Sequence, residues 1–321
     1  MLTVEIDAPA LPIVDASELA SADDAVRAAA IAKLKSACVD KGFLYLVGHG
    51  VPQELIDRTF DYAKQFFAKP MEEKMALDVA HSLTQNRGYE VPGLQTLDPG
   101  TLPDLKESFL MGVDYPLDHP CVVAGQYNRG PNQWPEGLPG FKETISAYAD
   151  EMERLARLLM SGIAQTLGLP EDFFDDFNRD PVSVQRLLYY PPQPVAAREG
   201  EIGCGAHTDF GGVTLLMQDD SGGLQVKDPV RGWVDAPPIP GSFVVNLGDM
   251  IARWTNDRYR SNLHRVINKS GKARYSLPYF FDGHPDYVVD CLPGCADEAN
   301  PSKYLPITVE QHLRDCFAAT Y

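Results

Sequence analysis

From Asp180 onward the chain breaks into short β-rich runs: VSVQRLLYY, GVTLLMQ, GGLQVKD, GWVDA, SFVVNLGD, HRVIN, RYSLPYFFD and DYVVD, each bounded by Gly, Pro, Asn or Asp. Seven or more short strands at near-regular spacing have to manage their edges by closing or by packing as two sheets, so the pattern predicts a barrel or sandwich. The preceding residues read differently. Helices are expected over about 22–38 and 53–67, a strand over 43–47, and a short helix after Pro70. A long amphipathic helix is expected between Gly140 and Gly168, where apolar residues recur every three or four positions; such a helix normally backs a sheet. Residues 80–104 are rich in turn formers and read as a long irregular loop. The class is therefore α+β, with N-terminal helices and a long backing helix against a β-core. Residues 1–110 are expected to form an α/β region packed on the core, and 111–321 the long helix plus the core, as one interleaved domain.

Charge narrows the partners. Twenty-eight basic against 45 acidic residues give a net charge of −17, which argues against nucleic acid and anionic membrane surfaces and for small-molecule chemistry. No basic segment followed by an apolar one opens the chain, and no apolar run approaches a membrane span, so a soluble, cytoplasmic protein is expected. The six cysteines form no CxxC pair and are expected as free thiols. Oligomeric state is not legible.

The chemistry concentrates in GAHTDFGGVTLLMQ, residues 205–218. Residues i and i+2 of an extended segment share a face, so His207 and Asp209 can aim at one point. Alone, such a pair is more often a hydrogen-bonded turn than a pair of ligands. His264, 57 residues on, offers a third donor. Two imidazoles and one carboxylate on a triangular face leave positions open, which suits non-haem Fe(II) and suits structural zinc poorly. Ten residues past His264 stands Arg274, with Ser276 at i+2; the guanidinium fork and a hydroxyl together match a carboxylate. If Arg274 faces inward, strand parity turns Pro278 and Phe280 inward with it, and if Tyr190 faces inward, Arg186 and Leu188 do too. Phe280 is a candidate wall of a substrate pocket. Arg186 either meets an anionic group of the substrate or pairs with a carboxylate at the core edge. Arg87 and Tyr89 are candidate lid residues, and the remaining histidines read as structural or solvated.

The run from His207 to Phe281, together with GFLYLVGHGVP, FFAKPMEEKM and NRGYE near the N-terminus, resembles the iron- and 2-oxoglutarate-dependent oxygenases of the isopenicillin N synthase-like superfamily. The resemblance spans nearly the whole chain. It implies a double-stranded β-helix, or jelly roll. His207, Asp209 and His264 match the iron ligands, Arg274 and Ser276 match the pair holding the distal carboxylate of 2-oxoglutarate, and Tyr190 matches a tyrosine that bonds the co-substrate. Leu188 stands where plant members commonly carry Asn. The implied activity is that of an oxidoreductase of the EC 1.14.11 type using Fe(II), 2-oxoglutarate and O2, with ascorbate as a supporting reductant. It would oxidise, most simply hydroxylate, a small organic molecule while releasing succinate and CO2; desaturation, cyclisation and demethylation stay open. The alternatives are a 2-oxoglutarate-independent oxidase of the same superfamily, cyclising or ethylene-forming, and a non-catalytic barrel that binds a carboxylate.

Overall fold

A computed structural model describes residues 11–84, 86–193, 200, 202–268 and 270–320. Two sheets face one another. The larger has eight strands in the order Ile13–Asp15, Phe43–Val47, Phe243–Leu247, Val213–Gln218, Arg274–Gly283, Val182–Tyr190, Glu107–Gly112 and Gly88–Glu90. The smaller runs Cys204–His207, His264–Val266, Leu224–Asp228, Gly232–Asp235. Apart from the first, parallel pair, every pairing in the two sheets is antiparallel. This is the jelly roll.

Each face of the large sheet has its own job. One face carries Leu46, Phe109, Leu187, Leu215 and Tyr279, all buried in the main core against the helices. The 26-residue helix Phe141–Thr166, about 39 Å long at 1.5 Å per residue, buries Leu155, Leu159 and Ile163 in that core. The opposite face carries Phe43, Leu188, Tyr190 and Val244, which meet Cys204, Leu224 and Val266 of the small sheet in a second, smaller core. Period-two alternation sends adjacent residues to different cores, so Leu187 goes to the helices while Leu188 goes between the sheets.

Two expectations shift. The first long helix begins at Asp24, not Ala22, because the Asp23 carboxylate accepts from the Ala25 and Val26 amides at 2.8 and 3.2 Å and caps it there. The 80–104 tract is not wholly irregular: Gly88–Glu90 pairs with Glu107–Gly112 as an edge strand, a non-local contact that turn-forming composition does not disclose. All six cysteines are free thiols. Among the described residues no helix is long and apolar enough to cross a membrane.

Candidate functional site

His207 ends one strand of the small sheet and His264 begins its neighbour, and the two are direct cross-strand partners with ring centroids 4.2 Å apart. Asp209 follows in the loop after His207, where the Asp249 amide donates to its carbonyl at 2.8 Å and fixes the backbone. The Nε2 atoms of both histidines lie 3.7 Å from Asp209 Oδ1, and the three ligand-type atoms fall within 4.8 Å of one another.

The surroundings dictate which atoms point inward. The His207 Nδ1 sits 2.8 Å from the Gly205 carbonyl and the His264 Nδ1 3.3 Å from that of Asn262. Carbonyl oxygens accept, so each Nδ1 carries the proton and each Nε2 presents a lone pair. Asp209 Oδ2 accepts from Thr214 Oγ1 at 2.6 Å and Asn246 Nδ2 at 2.7 Å, leaving Oδ1 to face the imidazoles. Burial disfavours imidazolium and lowers both histidines, so the rings are neutral and ligand-ready. Burial also works against the Asp209 charge and the hydrogen bonds from Asn246 and Thr214 work for it, and on balance the carboxyl lies below its usual range. A facial set of two neutral nitrogens and one carboxylate oxygen fits a divalent iron with open positions.

Thr214 and Asn246 are site residues that the sequence reading misses. Their signal is a polar residue inside an apolar strand, VTLLMQ and FVVNL, with inward parity. Removing the Asn246 amide frees one lone pair of Oδ2 and loosens the carboxylate. Asn246→Ala is therefore expected to weaken Fe(II) binding by roughly 10- to 100-fold, as read by anaerobic calorimetric titration; unchanged affinity would count against an orienting role.

A cavity of about 560 Å³, its open mouth included, is lined by both the triad and Arg274. Arg274 is fully buried. Its Nε donates to Gly222 O at 2.7 Å, Nη1 to Ser276 Oγ at 3.1 Å and Nη2 to Gln218 Oε1 at 3.1 Å, while its guanidinium stacks on the Tyr190 ring at 4.8 Å. All these partners are neutral. A buried cation so placed calls for an anion from outside the chain. Tyr190 pairs across from Arg274, and burial keeps its phenol protonated and able to donate. Arg186, Leu188, Pro278 and Phe280 also line this cavity, in accord with strand parity.

A second cavity, about 780 Å³ with its open mouth, adjoins the first on the far side of His207, Asp209 and Phe280. Its walls are largely apolar, with Leu110, Val184, Phe210, Phe280 and Phe317 among them. Arg186 borders both cavities but is tied to Glu90 by an ion pair, with Ser108 Oγ at 2.9 Å and Gln95 Oε1 at 3.2 Å. Of its two expected roles, pairing with a core-edge carboxylate is the one realised. Arg87 and Tyr89 depart from the lid expectation. Both are buried and neither lines either cavity. The Tyr89 hydroxyl donates to Glu107 at 2.6 Å, and Arg87 Nη1 donates to Asn128 Oδ1 at 2.7 Å, bracing a residue of the cavity wall from behind.

Comparison with known proteins agrees with this geometry. Residues 11–137 match the model of the non-haem dioxygenase in morphine synthesis N-terminal family, and residues 181–283 that of the 2OG-Fe(II) oxygenase superfamily. The chain is 45% identical over 315 residues to the 2-oxoglutarate-Fe(II) type oxidoreductase hxnY of Emericella nidulans, covering 97% of this chain and 90% of that one. Its fold overlays that of a full-length Neurospora crassa protein solved in complex with alpha-KG and thymine, at a TM-score of 0.85 and 31% identity, over 99% of each chain. A putative 2OG-Fe(II) oxygenase family protein from Caulobacter crescentus gives 0.84 and 34%, over 97% of this chain and 99% of that one. The chain belongs to the 2-oxoglutarate- and Fe(II)-dependent oxygenases and is a dioxygenase that uses Fe(II), 2-oxoglutarate and O2.

Proposed function

We propose that His207, Asp209 and His264 hold the iron, that Arg274 and Ser276 take the distal carboxylate of 2-oxoglutarate with Tyr190 donating beside them, and that the second cavity receives the small molecule to be oxidised. The observation that carries this reading is the buried Arg274 guanidinium with only neutral partners, at the opposite end of one cavity from the triad. When bound, Fe(II) with 2-oxoglutarate supplies O2 activation coupled to decarboxylation, giving succinate and CO2 and oxidising a substrate C–H bond.

The chain's own contribution is placement and exclusion of water. Arg274 and Ser276 fix the co-substrate's far end and so set how its near end meets the triad. Thr214 and Asn246 hold one Asp209 oxygen and aim the other. Phe280, shared by both cavities, forms the wall between co-substrate and substrate. Leu188 adds an apolar surface where a polar contact is absent. Hydroxylation is the simplest outcome. The sharing of one sheet by strands 43–47, 88–90, 213–218 and 274–283 supports reading 1–110 and 111–321 as one interleaved domain.

The test is O2-dependent succinate release, assayed with Fe(II) and 2-oxoglutarate across candidate small molecules. Substrate-stimulated succinate formation that Arg274→Gln lowers through the KM for 2-oxoglutarate is the expected result. Substrate turnover of equal rate without 2-oxoglutarate would overturn it.

A further inference from the structure

Strand parity does not stop at Phe280. Arg274, Ser276, Pro278, Phe280 and Asp282 alternate along one strand; the first four line the co-substrate cavity, and Phe280 and Asp282 line the second. Asp282 follows Phe280 by two positions on the side away from Arg274, where the register shifts between Phe281 and Gly283. Among the described residues its carboxylate accepts no hydrogen bond and pairs with no cation. It rests against the loop that follows Asp209: a Cβ on Gly211 would fall 1.6 Å from Asp282 Oδ1, so the glycine is what lets the carboxylate lie there.

The charges of the second cavity are thus lopsided. Its cation, Arg186, is engaged with Glu90, Gln95 and Ser108, and Asp209 faces the two imidazoles. Asp282 is left with its acceptor capacity unmet, in a wall that also carries Tyr127, Phe210 and Phe317. A half-buried carboxylate that faces the cavity with no partner from the protein offers its lone pairs to a donor brought in by a ligand. An anionic ligand would meet the same carboxylate as a repulsion. Aromatic walls favour a flat or cationic guest as well.

We propose that Asp282 is the specificity-determining residue of the second cavity and that it selects a substrate bearing a cationic or N–H-donating nitrogen, bonded to the carboxylate while the oxidised carbon sits toward the triad. This rests on the assignment of the second cavity to the substrate.

The experiment uses the full chain loaded anaerobically with Fe(II) and 2-oxoglutarate and titrated calorimetrically with two probes of matched shape, benzamidinium and benzoate. Benzamidinium is expected to bind at least about tenfold more tightly, Asp282→Asn to abolish most of that difference, and Asp282→Lys to reverse it. Equal or tighter binding of benzoate by the unmodified protein, or a preference that survives in Asp282→Asn, would overturn the proposal. The comparison in the unmodified protein needs no variant to fold. The charge-transfer absorption that 2-oxoglutarate gives on binding iron is recorded first, without a probe. Its absence would count against the co-substrate assignment and leaves the probe preference to be read on its own.

Discussion

Replacing Asp209 by alanine is expected to abolish iron binding at working concentrations and with it substrate-stimulated succinate release. Asp209 brings the one formal negative charge to a set whose other two members are neutral imidazoles. Removing one partner of a buried, desolvated charge pair costs about 3–5 kcal/mol, or roughly 10²- to 10⁴-fold in affinity. The loss spreads further in this case, because Thr214 Oγ1 and Asn246 Nδ2 both donate to Asp209 and would be left buried without their acceptor. Asp209→Asn is the sharper control. It keeps the shape and one oxygen but must turn either that oxygen or an NH2 toward Thr214 and Asn246, so its affinity should fall between those of the parent and the alanine variant. Anaerobic titration with Fe(II), using Mn²⁺ as a redox-stable stand-in, measures both. An Asp209→Ala protein that binds either ion as the parent does would place the metal elsewhere.

Local period and donor chemistry are what the residues disclose on their own. His207, Asp209, His264, Arg274 and Ser276 are legible as a set, because ligand-type side chains at i, i+2 spacing are followed downstream by a further histidine and by a guanidinium–hydroxyl pair in strand-like segments. That Arg186, Leu188 and Tyr190 share one face follows from parity, and all three line the cavity that holds Arg274. Pairing between distant segments is what stays hidden. Arg87 and Tyr89 sit in a tract of turn formers, and nothing local says that Gly88–Glu90 will pair with Glu107–Gly112 and bury both side chains against Asn128 and Glu107. Likewise the partner of Arg186 is Glu90, 96 residues away, which only the assembled sheet edge reveals. Asp282 is one inward position past Phe280, within reach of parity, but its missing partner is a tertiary fact. Asn246 and Thr214 are harder still, because a lone polar residue in a strand has many satisfied explanations, and its tie to Asp209 is also tertiary.

Arg274→Gln is expected to raise the KM for 2-oxoglutarate by up to about 100-fold, since a buried charge-assisted pair is worth up to about 3 kcal/mol and each 1.4 kcal/mol is tenfold. Fe(II) affinity should change little, because Arg274 takes no part in the hydrogen bonds that orient the triad. Arg274→Lys should recover only part of the loss. An ammonium keeps the charge but cannot at once donate to Gly222 O, Ser276 Oγ and Gln218 Oε1 in the planar fork that holds the guanidinium over Tyr190. Stability separates this account from one in which Arg274 is merely a packed core residue. In the ligand-free protein the guanidinium carries its desolvation cost without an anion, so 2-oxoglutarate at about 100 times its Kd should stabilise the parent by about 2.7 kcal/mol, a rise of several degrees in Tm. The same concentration should leave Arg274→Gln nearly unmoved. A variant that still gained the full thermal shift would show that the co-substrate's carboxylate is held by other groups, and the cation buried between the sheets would then need a different anion to explain it.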